Sequence, residues 1–100
     1  MGAPAGSDDS SAGQVRLRYW ASARAAAGVQ EDLLDVIGPV SLAVLCDQAK
    51  QLHATSARFA SVLGTCSYLI DDRPVGTRES ASVIVRPGET VEVLPPFAGG

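Results

Sequence analysis

Side chains that could act as acids, bases, nucleophiles or metal ligands are scarce in this chain of 100 residues. His53 is its one histidine, Lys50 its one lysine, and Cys46 and Cys66 its two cysteines. The cysteines form no CxxC pair and no second histidine completes a ligand set, so we expect no metal site and no permanently bound cofactor. We expect two free, buried thiols, which are typical of a reducing compartment.

The final segment, Pro95-Pro96-Phe97-Ala98-Gly99-Gly100, offers chemistry of another kind. Two consecutive prolines exclude a helix and favour a stiff, extended backbone. Glycine has no Cβ, so Gly99 and Gly100 could pass through a slot too narrow for any side chain. We therefore expect the α-carboxylate of Gly100 to be the reactive group, with residues 95–99 threading it into the active site of a partner enzyme. The alternative is a flexible Gly-rich end with no function of its own.

Two further features could be read as catalytic, and the sequence favours a structural role for both. The adjacent carboxylates of Asp71 and Asp72 precede Arg73 and Pro74, a combination typical of a turn. His53 stands at the end of a predicted helix, where it would support the helix C-terminus or lie half-exposed. The side chains alone therefore do not predict a self-sufficient enzyme.

The composition limits the class of protein. A hydrophobic fraction of 46% in 100 residues supports one packed domain. The net charge of −3 argues against a nucleic-acid-binding protein, which needs a basic surface. No apolar run approaches the length of a membrane span, and the first residues lack the pattern of a signal peptide. We therefore expect a cytoplasmic protein that binds neither membranes nor nucleic acid.

Hydrophobic periodicity predicts the elements that position the tail. Residues 1–14 lack periodicity and are expected to form a disordered leader, followed by a domain over 15–94 and the tail over 95–100. Strands are predicted at 15–21, 29–37, 66–71 and 90–94, a short extended segment at 82–85, and short helical turns at 22–27 and from Phe59. Ser41 is placed to cap the main helix. The stripe of that helix comprises Leu42, Leu45, Cys46, Ala49, Leu52 and His53.

Alternation along the first and last strands assigns side chains to two faces. Val15, Leu17 and Tyr19 share the face expected to enter the core, which leaves Trp20 on the outer face. In the last strand Leu94 also points away from the core. The alternatives are that Trp20 covers a hydrophobic gap, or that the phase of the strand is shifted by one residue. A sheet covered on one face by a helix is a two-layer α+β domain.

Three segments resemble the MoaD-type sulfur carrier, the small subunit of molybdopterin synthase. Residues 15–24 with Gly28 are similar to the first strand of that family and its Arg-x-x-x-Gly motif. Residues 87–94 are similar to its last turn and strand, although Pro87 stands where an acidic residue is usual. Residues 95–100 match its Pro-Pro-x-x-Gly-Gly end most specifically. Ala25, where many members have glutamate, and the leader are the other departures.

The resemblance implies a ubiquitin-like β-grasp fold: a mixed sheet of about four to five strands, covered by one main helix, with the first and last strands parallel. It also implies a reaction sequence. An activating enzyme of the MoeB type uses ATP to adenylate Gly100, and a sulfur donor such as a cysteine desulfurase or rhodanese converts it to a thiocarboxylate. The large synthase subunit, of the MoaE type, then transfers the sulfur to cyclic pyranopterin monophosphate.

The resemblance further places Pro74 beside Trp20 and Leu94 in an apolar patch that contacts the partner. Two other classes of function remain open at this stage. One is a sulfur carrier for thiamine thiazole or cysteine synthesis, which would use the same tail chemistry. The other is a ubiquitin-like protein modifier that joins its tail to lysines.

Overall fold

A computed structural model describes residues 12–96, which form one mixed five-stranded sheet, a second sheet of two short strands, and three helices on one side. In chain order the elements are β1 (Ala12–Tyr19), α1 (Ala21–Ala27), β2 (Glu31–Ile37), β3 (Val40–Ser41), α2 (Leu42–Leu52), α3 (Phe59–Leu63), β4 (Ser67–Ile70), β5 (Arg73–Pro74), a 3₁₀ turn (Ser80–Ser82), β6 (Ile84–Val85) and β7 (Thr90–Leu94).

The large sheet has the strand order β2-β1-β7-β4-β5, with the last strand at its centre. β7 pairs parallel to β1, where Leu17 lies opposite Val91 and Tyr19 opposite Val93, and antiparallel to β4. Parallel neighbours need a crossover connection, and the helices between β1 and β7 supply it. The predicted mixed sheet with parallel first and last strands is therefore confirmed.

The core lies between the sheet and the helices. Its residues alternate along the central strands, as predicted: Val15, Leu17 and Tyr19 are buried in β1, and Val91 and Val93 in β7. Further side chains enter the same core from the helices and the remaining strands, among them Ala23, Leu34, Leu42, Leu45, Ala49, Phe59, Leu63, Ile70 and Val85. The opposite face of the sheet, here called the outer face, carries no helix of the described chain.

Helix α2 begins and packs largely as predicted. The Ser41 hydroxyl accepts a hydrogen bond from the backbone N–H of Val44 at 3.2 Å, which caps the helix. Leu42, Leu45 and Ala49 are buried. The prediction for Leu52 was wrong, because its side chain is 59% exposed. Leu52 ends the helix next to edge strand β2, and no further strand of the described chain lies beyond that edge to cover it.

The boundaries differ from the predictions where a partner strand overrides local pattern. β1 begins at Ala12 rather than at Val15, because Ala12 pairs with Ile37 of β2. The leader therefore ends no later than residue 11, and residues 1–11 lie outside the described residues. The small β3–β6 sheet and the two-residue strand β5 were not predicted, since such short segments have no periodicity to detect. Gly28 ends α1 with φ of 77°, as expected of a left-handed cap.

A polar network ties the end of α2 to the sheet. The Asp32 carboxylate accepts a hydrogen bond from the Tyr19 hydroxyl at 2.7 Å and contacts His53 Nε2 at 2.6 Å. Burial, together with the Asp32 hydrogen bond, raises the pKa of the Tyr19 phenol, so this group remains a donor at neutral pH. The His53 ring also lies 4.7 Å from that of Phe59. His53 therefore has a structural role, as the sequence favours, but its ring binds the β2 carboxylate and is largely buried instead of supporting the helix C-terminus or lying half-exposed.

Candidate functional site

The chain leaves the sheet at the end of its central strand. β7 ends at Leu94, and Pro95 and Pro96 follow without regular secondary structure, the first half-buried and the second exposed. Because β1 and β7 are parallel, their carboxyl ends meet at the same side of the sheet. Trp20 follows β1 directly, so the exit of the chain and the indole ring occupy the same end of the molecule.

Trp20 is fixed on the outer face by three contacts. Its backbone N–H donates to the carbonyl oxygen of Val93 at 3.2 Å, and its indole Nε1–H donates to Glu92 Oε1 at 2.9 Å. The Arg18 guanidinium carbon lies 5.2 Å from the ring centroid, within the range of a cation–π contact. The side chain is 40% exposed, so it presents an apolar ring to solvent and fills no gap in the core.

The structure brings two of the three predicted patch residues together. Leu94 follows Val93, whose carbonyl bonds to the Trp20 N–H, so Leu94 lies beside Trp20 at this end of the sheet, and its side chain is half-buried. Pro74 lies on edge strand β5, opposite Leu69, and Leu69 in turn lies opposite Glu92. Pro74 thus shares the outer face but is separated from Trp20 by two intervening strands.

Charged groups that the sequence did not assign to the site interrupt this patch. Arg18 and Glu92 face each other across the β1–β7 ladder, and both contact the Trp20 ring. Arg18 could have been grouped with Trp20 from their spacing of two along one strand. Glu92 could not, because its place depends on the parallel register between two strands far apart in sequence. The site therefore has an apolar ring that is contacted on the outer face by one cationic and one acidic side chain.

Phe97, Ala98, Gly99 and Gly100 lie outside the described residues. The predicted roles of Gly100 as the reactive terminus and of residues 95–99 in threading therefore stay predictions. The described part contributes the rigid base of the tail: a central strand, paired on both sides, that ends in two prolines.

The two thiols have environments that suppress reactivity. Both are half-buried rather than buried as expected, and both line a surface cavity of about 260 Å³ that also includes Lys50 and Tyr68. Burial raises the pKa of the Cys46 thiol, and it raises that of Cys66 to about 11. Since the thiolate is the nucleophile, both groups are almost entirely in their unreactive form at neutral pH. They belong to the packing of the domain.

The adjacent carboxylates form a turn, as predicted. Asp71 and Asp72 connect β4 to β5 with φ of 47° and 71°, the backbone of a tight two-residue hairpin loop. Asp71 Oδ1 also accepts a hydrogen bond from the Thr90 N–H at 3.0 Å, which fastens this loop to β7. Among residues 12–96, no cluster of three or more His, Cys, Asp or Glu side chains could hold a metal ion.

No helix in the described range is long and apolar enough to cross a membrane. Comparison with families and with curated proteins finds no match: no family model and no curated sequence is similar to this chain. Its similarity to known proteins therefore rests on the fold.

Several solved structures share that fold over most of this chain. Small archaeal modifier protein 1 from Haloferax volcanii superimposes with a TM-score of 0.71 at 19% identity, covering 88% of this chain and 100% of its own. A Pyrococcus furiosus protein assigned as molybdopterin converting factor subunit 1 gives 0.68 at 22% identity, covering 85% and 99%. A complex of subunits 1 and 2 of the molybdopterin-converting factor from Helicobacter pylori gives 0.57 at 16% identity, covering 87% and 99%.

The chain has the β-grasp fold. The predicted fold class is thereby confirmed: a mixed five-stranded sheet with helices on one face, as in the modifier protein and the converting-factor subunit. At these identities the likeness concerns the fold alone, and the two kinds of protein that share it differ in what their names say they do.

Proposed function

We propose that this chain is a ubiquitin-like sulfur carrier and that it serves molybdopterin synthesis as the small subunit of molybdopterin synthase. The observation that carries the proposal is the exit of the chain: the central strand β7 ends beside the exposed Trp20 ring and continues into the Pro-Pro-Phe-Ala-Gly-Gly segment. A tail with a rigid base next to an apolar contact surface is suited to insertion into a partner while the domain docks.

The carboxylate of Gly100 needs activation because oxide is a very poor leaving group. In the proposed reaction, a carboxylate oxygen attacks the α-phosphorus of ATP, releasing pyrophosphate and forming an acyl-adenylate. A hydrosulfide equivalent then attacks the acyl carbon, the new C–S bond replaces the C–O bond to AMP, and a proton is lost. The product is a thiocarboxylate, a soft nucleophile that can deliver its sulfur to a pterin substrate bound by the large subunit.

The division of labour agrees with the side chains of this domain. The two thiols remain protonated near neutral pH, and His53 is engaged by Asp32. Phosphate binding and acid/base catalysis are therefore assigned to the partners: an adenylating enzyme that uses ATP, a sulfur donor of the cysteine desulfurase or rhodanese class, and the large synthase subunit. The proposal places these steps in the cytoplasm.

Intact-mass spectrometry tests the tail chemistry. The full chain is incubated with its adenylating enzyme, MgATP and sulfide, and we expect a mass gain equal to the exchange of one oxygen for one sulfur. Two control chains, one lacking Gly100 and one extended by a single residue, should keep the fold and gain nothing. A native chain that ends elsewhere than Gly100, or that acquires no sulfur with its cognate enzyme, would contradict the proposal.

Genetic rescue tests the specific pathway. Expression of the chain should restore molybdoenzyme activity in a strain that lacks its own small synthase subunit, and the chain lacking Gly100 should not. Rescue of a thiamine or cysteine auxotroph instead would assign the same tail chemistry to a different sulfur-containing product.

A protein modifier is the second candidate, and the structural likeness to small archaeal modifier protein 1 is the observation that favours it. A modifier would form an isopeptide bond between its terminal glycine and lysine side chains of other proteins. Immunoblots of the native cell should then show conjugates of higher mass that disappear when Gly100 is deleted. A sulfur carrier would appear only as the free chain or in non-covalent complex with the large subunit.

A further inference from the structure

Strand β2 forms one edge of the large sheet, and no strand of residues 12–96 pairs with its outward backbone groups. The Tyr19 N–H donates to the carbonyl oxygen of Gln30. Given the register of β1 with β2, the backbone N–H and C=O groups of the even-numbered β2 residues therefore point toward β1. The odd-numbered residues direct their N–H and C=O groups away from the sheet. Within residues 12–96 these groups have no backbone partner; they belong to Glu31, Leu33, Asp35 and Ile37.

Of the features that protect an edge strand, β2 has acidic side chains, but it is neither short nor interrupted. Natural edge strands are commonly shortened, bulged or interrupted by lysine or proline. The opposite edge, β5, has two residues and includes Pro74. β2 has seven residues and neither lysine nor proline, and its side chains on the outer face include Leu33, 49% exposed, and Ile37, 71% exposed. This edge is therefore open to another strand.

A groove continues this edge on the helical side. It lies between β2 and α2, has a volume of about 390 Å³, and is lined by Leu33, Leu34, Asp35, Gln48, Gln51 and Leu52. The exposed side chain of Leu52 gives it an apolar wall. A strand added to β2 would place alternate side chains on the two faces of the sheet, so one set would enter this groove.

The charges on β2 indicate what kind of strand fits. Its acidic residues are Glu31, Asp32 and Asp35, and it has no basic residue. Asp32 is engaged by His53, and Glu31 lies 3.5 Å from Arg16. Asp35 accepts a hydrogen bond from the neutral amide of Gln14 and has no cation contact in the described part of the chain. A basic side chain opposite Asp35 would supply the missing charge.

A second copy of β2 does not satisfy this edge. Consider two copies of β2 that pair antiparallel. If Leu33 lies opposite Leu33 of the other copy, Glu31 lies opposite Asp35 of that copy. If Asp35 lies opposite Asp35, the two carboxylates face each other directly. In the intermediate register, the apolar side chains of Leu33 and Ile37 each lie opposite a carboxylate of the other copy. Opposed like charges destabilise a strand pair, and an apolar–carboxylate pair contributes little.

We propose that β2 binds an extended segment of a partner protein as an added antiparallel strand, with basic side chains opposite Asp35 and Glu31 and apolar side chains opposite Leu33, Leu34 and Ile37. The bound strand takes its main-chain hydrogen bonds from the free edge and its selectivity from the alternation of apolar and basic positions. β2 itself does not carry the tail, because β1 lies between β2 and β7, the strand that leads into the tail. A partner could therefore hold β2 while the tail is engaged elsewhere.

A designed peptide tests the proposal directly. The probe is the blocked heptapeptide Val-Thr-Lys-Val-Val-Thr-Lys, whose first valine lies opposite Ile37 when it pairs antiparallel to β2. It is titrated into the 15N-labelled full chain. We expect chemical-shift changes confined to β2 and α2, and slowed amide exchange at the outward N–H groups of Leu33 and Asp35. The same peptide with glutamate in place of lysine should not bind.

Two matched substitutions locate the binding surface. Leu33→Lys places a cation at the centre of the edge and should weaken binding by at least about fivefold. Ile84→Lys changes an apolar residue of equal exposure, 50%, on the separate β3–β6 sheet and should leave binding unchanged. The proposal would be overturned if the peptide failed to bind, if the glutamate peptide bound equally well, or if the chemical-shift changes were located away from β2. A homodimer with protected β2 amides would also overturn it.

Discussion

The contact between Asp32, Tyr19 and His53 provides a stringent test of what holds α2 to the sheet. Replacing Asp32 with alanine leaves the buried Tyr19 hydroxyl without its acceptor at 2.7 Å and the His53 ring without its partner at 2.6 Å. A hydrogen bond to a charged group contributes about 1.5–3 kcal/mol. Because Asp32 and His53 retain some contact with water, we expect Asp32→Ala to lower the free energy of unfolding by about 3 kcal/mol, near the low end of the two bonds combined.

A double-mutant cycle isolates the part that belongs to the tyrosine hydroxyl. Tyr19→Phe keeps the ring and its edge-to-face contact with Phe59 and should cost about 1.5 kcal/mol. In that background no hydroxyl is left without an acceptor, so Asp32→Ala should cost only about 1.5 kcal/mol more, giving a coupling of about 1.5 kcal/mol.

Urea unfolding at neutral pH, followed by circular dichroism and by the fluorescence of the single tryptophan, measures these values. The control is Asp47→Ala, which removes an exposed carboxylate 3.3 Å from Lys50 and should change stability by about 0.5 kcal/mol or less. The reasoning is refuted if Asp32→Ala is no more damaging than Asp47→Ala, or if the effects of Asp32→Ala and Tyr19→Phe add without coupling.

Three further outcomes are expected. Trp20→Ala should change folding stability by no more than about 1 kcal/mol because the ring is half-exposed. If the proposed large synthase subunit is the partner, the same substitution should weaken its binding by about 30-fold in calorimetry, and unchanged affinity would remove Trp20 from the contact surface. The rate of Cys66 alkylation by iodoacetamide, followed by peptide mass spectrometry, should rise with pH up to about pH 11; a plateau near pH 9 would contradict the role of burial. Because the thiol of the unfolded chain has a pKa near 9.0, the unfolded state loses its proton first, and raising the pH from 9 to 11 should also destabilise the fold. Gly28→Ala should lower the free energy of urea unfolding by about 1 kcal/mol. The cause is backbone strain at a φ of 77°, since an added Cβ would meet no atom within 4 Å. An unchanged or raised free energy would show that local rearrangement relieves the strain.

Sequence reasoning succeeded where the pattern is local and repeated. Alternation in β1 and β7 assigned Val15, Leu17, Val91 and Val93 to the core correctly, because a strand with one buried face must repeat every second residue. The cap at Ser41 was found from residue type for a similar reason: an N-cap oxygen bonds to a backbone group only a few positions away.

The predictions from sequence failed where the structure of a residue depends on a strand that is distant in the sequence. Leu52 fits the helical stripe, but its exposure is decided by the position of β2 at the sheet edge. Ala12 has no strand pattern of its own and is extended because Ile37 lies beside it. For the site, the sequence placed Trp20 and Leu94 on one face, but the distance of Pro74 from them follows from the strand order, which no local spacing contains.

The central position of β7 also affects how this protein is made. β7 is the last of the described strands to leave the ribosome, yet it joins β1 to β4, so a nascent chain that stops before Thr90 lacks the element that unites the two halves of the sheet. Such long-range pairing forms slowly compared with local contacts. Completion of the fold therefore waits for synthesis of β7, and any enzyme that docks on the finished sheet would act on chains in which β7 has already paired and ignore those that lack it.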